Sequence, residues 1–399
     1  MTQTNAAGLA DSTDIPGHPE APGDSAGSDT RIPVLILTGF LGAGKTTVLQ
    51  QMLVQPAWRD HAVLINEFGE VGIDQQLVTP IAPDAVLLDS GCLCCQIRGE
   101  LKDALQRLLD QRAEGSVPRF RGIVIETTGL AEPTPIIATL QADPVLSHQL
   151  RIDRTVTVVD AVNGSAMMKD GLLTGAQHVN GTEAGNDGQL RPLFGGYGAL
   201  AREGCAIWWQ QVAAADVVLL SKSDLDPAAG EALQAALVPY LPGVPVITHA
   251  PQQPLPAWLV PQEAFAKGLP RSQGARGPGG GELIPAVPSS AGGVPSSIQS
   301  VVLTADTPVD WVAFGVWLSA LLHVHGRAVL RVKGVLDIGE NHRVLVNGVQ
   351  HQVYPPQHLA APSGALHRSV LVLIVAGIDP ATILPSFQHF VHAGAVAAS

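Results

Sequence analysis

From residue 31 onward, short and nearly unbroken apolar runs alternate with stretches whose apolar residues recur at helical spacing. The runs cover residues 33–37, 62–66, 85–88, 122–126, 155–160, 217–221 and 244–248 and are rich in Val, Ile and Leu. A strand with one wet face would show a polar residue at every second position. Unbroken runs suit strands covered on both faces, as in a mostly parallel sheet. Residues 46–54 and 99–113 carry the helical pattern between them. The alternation predicts a doubly wound α/β domain over residues 31–250.

The pattern breaks in three places. Residues 1–30 are rich in Ala, Gly, Pro, Asp and Ser without any period, which predicts a disordered tail. From about residue 164 to residue 197 the chain turns polar and Gly-rich, as a long surface insertion would. Residues 251–297 contain Pro/Gly/Ser-rich stretches of linker composition. Beyond them come a strand at 299–303, a helix at 309–323, a strand at 328–336 and further strands near 344–346 and 370–374. That order predicts a separate small α+β domain over residues 298–395, built on an antiparallel sheet.

Composition narrows the function. At 399 residues the chain exceeds one ordinary domain, and a hydrophobic content of 46% supplies core for two. A net charge of −12 argues against a nucleic-acid partner, which calls for a basic face. An acidic balance suits an ordinary soluble protein, and also one that handles cations. The first thirty residues lack the apolar centre of a secretory signal. No apolar stretch approaches the roughly 20 residues of a membrane span. These features predict a cytoplasmic protein with no membrane partner. Four cysteines are too few for a disulfide scaffold, and Cys92, Cys94 and Cys95 cluster while Cys205 stands apart. A reducing compartment keeps such neighbours as thiols.

The sharpest chemistry lies in Gly39-Phe40-Leu41-Gly42-Ala43-Gly44-Lys45-Thr46, a full G-x-x-x-x-G-K-[ST] match between a strand and a helix. Gly39, Gly42 and Gly44 let successive N–H groups, with those of Ala43 and Thr47, curl toward phosphate oxygens. The helix that follows adds its positive N-terminal end. Lys45 is placed to reach the β- and γ-phosphates, and the Thr46 hydroxyl to ligate Mg2+. Downstream, the run at 122–126 ends in a carboxylate. Glu126 fits the Mg2+ shell, and Gly129 an approach to the γ-phosphate. A buried strand that merely ends in a solvated Glu is the plainer alternative.

Ser221-Lys222-Ser223-Asp224 follows another apolar run, where GTPases usually carry Asn-Lys-x-Asp. Asp224 is placed to accept from the guanine N1–H and 2-amino group, and the Lys222 stem to lie along the base. Ser221 stands where Asn is expected and lacks the amide that braces this loop, so weaker guanine selectivity is expected. A simple strand-to-turn exit is the alternative.

Gly91-Cys92-Leu93-Cys94-Cys95 sits between the run at 85–88 and a helix near residue 99. Soft thiolates at this density favour Zn2+, Cu(I) or another borderline-to-soft ion over Mg2+. Two or three such ligands leave a coordination position open, which suits transfer of a metal better than storage. Small residues buried at a tight turn, or a redox pair, are the competing accounts. Glu67 and Glu70 lie in the stretch from Asn66 to Asp74, where the first switch of such a nucleotide-binding domain would fall. Their carboxylates would serve a metal, position water and Mg2+, or form an ordinary solvated loop. Lys45, Glu126 and Glu67 are the candidate catalytic residues.

Together, GFLGAGKTT, NEFGEVGID, GCLCC, ETTGLAEP and the SKSD turn resemble the CobW family of metal-handling GTPases, related to HypB and UreG in the SIMIBI class. The motifs stand in the family's order. The stretch from Arg331 to Leu336 is similar to part of the small domain that follows in that family. The resemblance implies a weak GTPase that uses GTP and Mg2+ and binds Zn2+ or Co2+ through Cys92, Cys94 and Cys95, aided by Glu67 or Glu70. It also implies delivery of the metal to a client metalloprotein or a cobalamin-type biosynthetic enzyme. A nucleotide-dependent metal sensor without delivery is the competing function. Many relatives carry a His-rich tract and this chain has none. Eight of its 13 histidines nevertheless fall after residue 298, and His323-x-His325 is either a secondary metal pair or part of a surface scatter.

Overall fold

The structure, a computed structural model, describes residues 29–66, 87–89, 97–174, 206–256, 259, 284–285, 298–340, 342–359 and 368–392. The first strand, β1 (Ile32–Thr38), shows why the apolar runs are unbroken. Val34 and Ile36 share a cluster with α2 (Ile97–Glu114), α3 (Pro133–Ala142) and α4 (Pro144–Gln149). Leu35 and Leu37 pack with α1 (Lys45–Val54) on the other face. Both faces of the sheet are dry, so successive residues along the strand must all be apolar.

The sheet is completed by β2 (His61–Asn66), β3 (Leu87–Asp89), β4 (Gly122–Thr127), β5 (Leu150–Asp160), β6 (Val217–Ser221) and β7 (Val246–Thr248). Their order is β3-β2-β4-β1-β5-β6-β7, and every pairing is parallel. Parallel pairing carries the C-terminal ends of all these strands to one edge, where α/β proteins bind their ligands. The loops after β1, β4, β5 and β6 therefore meet.

Two segments differ from expectation. Residues read as the start of a polar insertion form α5 (Gly164–Thr174). Gly164 lies against Leu233 and Val159, and Met168 is buried. The glycines that mark this stretch as loop-like include one that permits close packing. Residues 175–197 of the expected insertion lie outside the described residues. Within the expected linker, β8 (Ile284–Pro285) pairs antiparallel with β9 (Ile298–Ala305). A helix α6 at residues 206–213 leads into β6, and α7 (Pro227–Leu237) follows it, capped by the Asp226 carboxylate accepting from the Ala229 N–H.

The second sheet adds β10 (Val329–Asp337), β11 (Arg343–Val349), β12 (Gln352–Val353), β13 (Gln357–Leu359) and β14 (Ser369–Ala376). Its order is β12-β11-β10-β14-β9-β8, with β13 on β11, and its pairings are antiparallel. Helices α8 (Trp311–His325) and α9 (Pro380–His392) cover one face through Phe314, Trp317, Leu318 and Phe387. The other face meets the first domain. Leu330 and Ile374 share a core with Trp208, Trp209 and Val218, and Val349 and Tyr354 share another with Ile136 and Ile137.

Every residue of β10 is buried, including two cations. Arg331 donates to the Ala214 carbonyl at 2.6 Å and to the Asp216 carboxylate, and Lys333 Nζ lies 2.6 Å from Asp216 Oδ1. The second Asp216 oxygen accepts from the Thr155 N–H at 2.9 Å. Burial opposes the charge on Asp216, but Lys333 and Arg331 outweigh it and hold the carboxyl at about 2. Burial, offset only in part by Asp216, brings Lys333 down to about 8.

Asp216→Asn leaves two buried cations without their counter-charge and is expected to cost about 3–5 kcal/mol in unfolding experiments. The folded carboxyl titrates at about 2, below its ordinary 3.8, so its contribution is complete above that ordinary value and is lost as pH falls toward 2. The stability gap between wild type and variant should narrow across that window. A gap that stays constant under acid would contradict the assignment.

Candidate nucleotide site

The chain leaves β1 at Thr38 and doubles back over the sheet edge. Gly39 has φ +147°, and a Cβ there would enter the Val158 carbonyl of β5, so the loop can lie this close to the sheet only with glycine. The Ala43 N–H donates to the Phe40 carbonyl at 3.1 Å and closes the turn that holds Gly42 and Gly44. Lys45 is buried, and its Nζ donates to the Gly39 and Phe40 carbonyls at 3.0 and 3.3 Å. Its ammonium thus lies over the centre of the loop. Thr46 and the exposed Thr47 occupy the first turn of α1.

Parallel pairing of β1 with β4 aligns Leu37 with Glu126 and brings that carboxylate beneath the loop. Glu126 is buried, and its Oε1 accepts from the Thr46 hydroxyl at 3.1 Å. Past β4, Gly129 crosses the same loop. A Cβ at Gly129 would fall 2.6 Å from Leu41 N and 2.7 Å from Leu41 Cα, backbone atoms that cannot give way. Lys45, Thr46, Glu126 and Gly129, scattered in sequence, therefore surround one crevice.

The base-side loop is tied to the phosphate loop through Ser221. Its hydroxyl donates to the Ala43 carbonyl at 2.6 Å and lies 3.2 Å from the Val159 carbonyl. The brace expected to be missing without Asn is therefore supplied by the serine. Lys222 adopts φ +57°, and its Nζ pairs with Asp160 Oδ2 at 2.7 Å. Asp160 also accepts from Asn163 and from the Val162 N–H. Burial works against its charge, but Lys222 and these donors overcome it and lower its pKa. Ser223 donates to the His249 carbonyl at 3.1 Å, and the buried His249 ring meets Gln51 of α1 at 2.7 Å. Burial lowers the pKa of His249. Asp224 is exposed on this side. Sequence reasoning did not single out Asp160 or His249. Each is an unremarked residue at or just past a strand end, and only the meeting of β5, β6 and β7 gives it a role.

Glu67, Glu70, Cys92, Cys94 and Cys95 lie outside the described residues. The strands leading toward them end at Asn66 and Asp89, and Asn66 pairs in register with Thr127, next to Glu126. Among the described residues no group of three His, Cys, Asp or Glu is arranged to hold a metal. His323 and His325 are both exposed on α8, and helical residues two apart do not face one another. They do not form a pair.

A parallel sheet that carries its phosphate loop between β1 and α1, with a buried carboxylate on the loop's hydroxyl, defines a P-loop NTPase domain. Within that class the chain belongs to the CobW/HypB/UreG family. Residues 33–238 match that family's nucleotide-binding domain, and residues 298–391 match the cobalamin synthesis protein cobW C-terminal domain. The chain is 42% identical over 146 residues to the zinc chaperone YjiA of Escherichia coli, which is 37% of this chain and 46% of that protein. It is 33% identical over 238 residues to the zinc chaperone CobW of Pseudomonas aeruginosa, 57% of this chain and 58% of that one. The crystal structure of Zn(II)-bound YjiA GTPase from E. coli has a TM-score of 0.59 at 26% identity, covering 90% of this chain and 99% of that chain. The matches span between 34% and 58% of the lengths of these and similar curated relatives. Among the described residues no helix is long and apolar enough to cross a membrane.

Ser221→Ala would leave the Ala43 carbonyl without its buried donor and is expected to lower stability by about 1–3 kcal/mol. Denaturant unfolding of the two proteins tests this; coincident midpoints would show that the tie contributes nothing.

Proposed function

We propose that the chain binds and slowly hydrolyses GTP in the cytoplasm, and that it carries zinc or cobalt to a client metalloprotein or a cobalamin-type biosynthetic enzyme. The observation that carries this proposal is the contact of the Thr46 hydroxyl with the buried Glu126 carboxylate, under a loop that also holds Lys45. That donor set fits Mg2+, a hard cation that takes oxygen ligands. The ion would neutralise charge on the β- and γ-phosphate oxygens of the bound nucleotide. Lys45 and the N–H groups of the loop from Gly39 to Thr47 steady those phosphates, and the Gly129 backbone approaches the last of them. Glu67 orients the attacking water. On the base side Asp224 accepts from guanine while the Lys222 stem lies along the ring, held by its ion pair with Asp160.

The transported metal is cargo, and the thiolates of Cys92, Cys94 and Cys95 are its ligands, aided by Glu67 or Glu70. Relatives named as zinc chaperones support this reading. If nucleotide state alters the cysteine loop, metal and nucleotide affinities must be coupled reciprocally.

Zinc and cobalt titrations of the full chain, held first with a non-hydrolysable GTP analogue and then with GDP, test the proposal. Binding should be micromolar or tighter with the analogue and at least about fivefold weaker with GDP, the low end of ordinary coupling. It should vanish in a C92S/C94S/C95S variant. Equal affinity with both nucleotides, or full retention by the triple variant, would remove the chaperone function.

A further inference from the structure

The side chain that ties the helix before β6 to the phosphate edge of the first domain is Gln211. It lies on α6, is fully buried, and its Nε2 donates to the carbonyls of both Gly129 and Ala131, at 3.2 and 3.0 Å. Its Oε1 has no partner among the described residues. The amide is therefore oriented by its two donated bonds, and both go to the loop that crosses the phosphate cradle at Leu41. Its own carbonyl accepts from the Thr157 hydroxyl of β5 at 2.8 Å, which fixes the helix to the sheet.

The same helix ends at the junction between domains. About one turn beyond Gln211, the Ala214 carbonyl accepts from Arg331, and Asp216 binds Arg331 and Lys333. Along this stretch of chain Trp208, Trp209, Val212 and Ala213 share a core with Leu330 and Ile374 of the second sheet. Close-packed interiors transmit displacement, and helical residues this enclosed move together. A shift of the Gly129–Ala131 loop must then either break both amide bonds where water does not reach or carry α6 with it.

We propose that Gln211 is a positioning residue that couples the nucleotide state to the docking of the second domain, through α6 and the Ala214–Asp216 anchor. The proposal rests on the reading of the Lys45 loop as a triphosphate site. Coupling is reciprocal, so weakening the anchor must change how well the protein tells GTP from GDP, even though Arg331 touches neither.

The test compares the dissociation constants of GDP and a non-hydrolysable GTP analogue in the wild type, Gln211→Met, Arg331→Lys and the double variant. Circular dichroism and thermal melts check folding. Met keeps the length and apolar bulk of Gln211 without its donors. Lys keeps the charge facing Asp216 but is too short to hold both partners of Arg331. Each single variant should change the GDP-to-GTP affinity ratio by at least about fivefold, and the double variant should change it no further than the larger single effect. A purely structural role would lower the melting temperature and weaken both nucleotides alike, leaving the ratio fixed. An unchanged ratio in folded R331K, or effects that multiply in the double variant, would overturn the relay and leave the nucleotide site standing. Failure of the wild type to bind either nucleotide would remove both proposals.

Discussion

Two cations on one strand meet the Asp216 carboxylate across the boundary between two sheets, and the assembly of the molecule turns on that arrangement. Asp216 is locked in place before it meets them. Its N–H donates to the Thr155 carbonyl and its Oδ2 accepts from the Thr155 N–H, so the carboxylate is part of the junction between β5 and β6. Arg331 and Lys333, two residues apart on β10, fall on one face of their strand. Val332 and Leu336 pack with α8 and α9 on the other. A strand buried on both faces tolerates two cations only where a counter-charge and good hydrogen bonds await them. Buried ions fit few geometries, whereas apolar surfaces fit many. The charge cluster therefore fixes how the sheets are seated, while the shared clusters around Trp209 and Tyr354 supply the bulk of the burial.

What could be read from the sequence follows the range of the physics involved. The phosphate loop is contiguous, and its glycines and lysine answer to local constraints on backbone and charge, so its motif is unambiguous. The strands of the first sheet are legible because two dry faces leave few polar residues to obscure them, the Thr155–Thr157 stretch of β5 being an exception. The contact of Thr46 with Glu126 is half legible: both residues stand out, but only the register of β1 with β4 joins them. Ser221 shows the opposite case. Judged against the usual Asn it is a defect, and only the proximity of the Ala43 carbonyl reveals its hydroxyl as a brace. Gln211 gave no signal, because an amide next to two tryptophans in a helix looks like any interfacial residue. Nothing local marks Arg331 and Lys333 as buried, since the residues that meet them lie more than a hundred positions earlier.

The two ends of the first sheet divide the work. Parallel strands bring the ends of β1, β2, β3 and β4 to one edge, so the segments leaving Asn66 and Asp89 start within two strands of Glu126. The second domain is anchored elsewhere. Asp216 precedes β6 and therefore lies toward the opposite edge of the sheet, away from the phosphate loop. The Gln211 side chain reaches the Gly129 loop, and about one turn further along the chain Ala214 and Asp216 meet the cations, just ahead of β6. Gln211 and the Ala214–Asp216 anchor therefore lie in one short stretch of chain, so the loop at the crevice and the second domain are held by near neighbours.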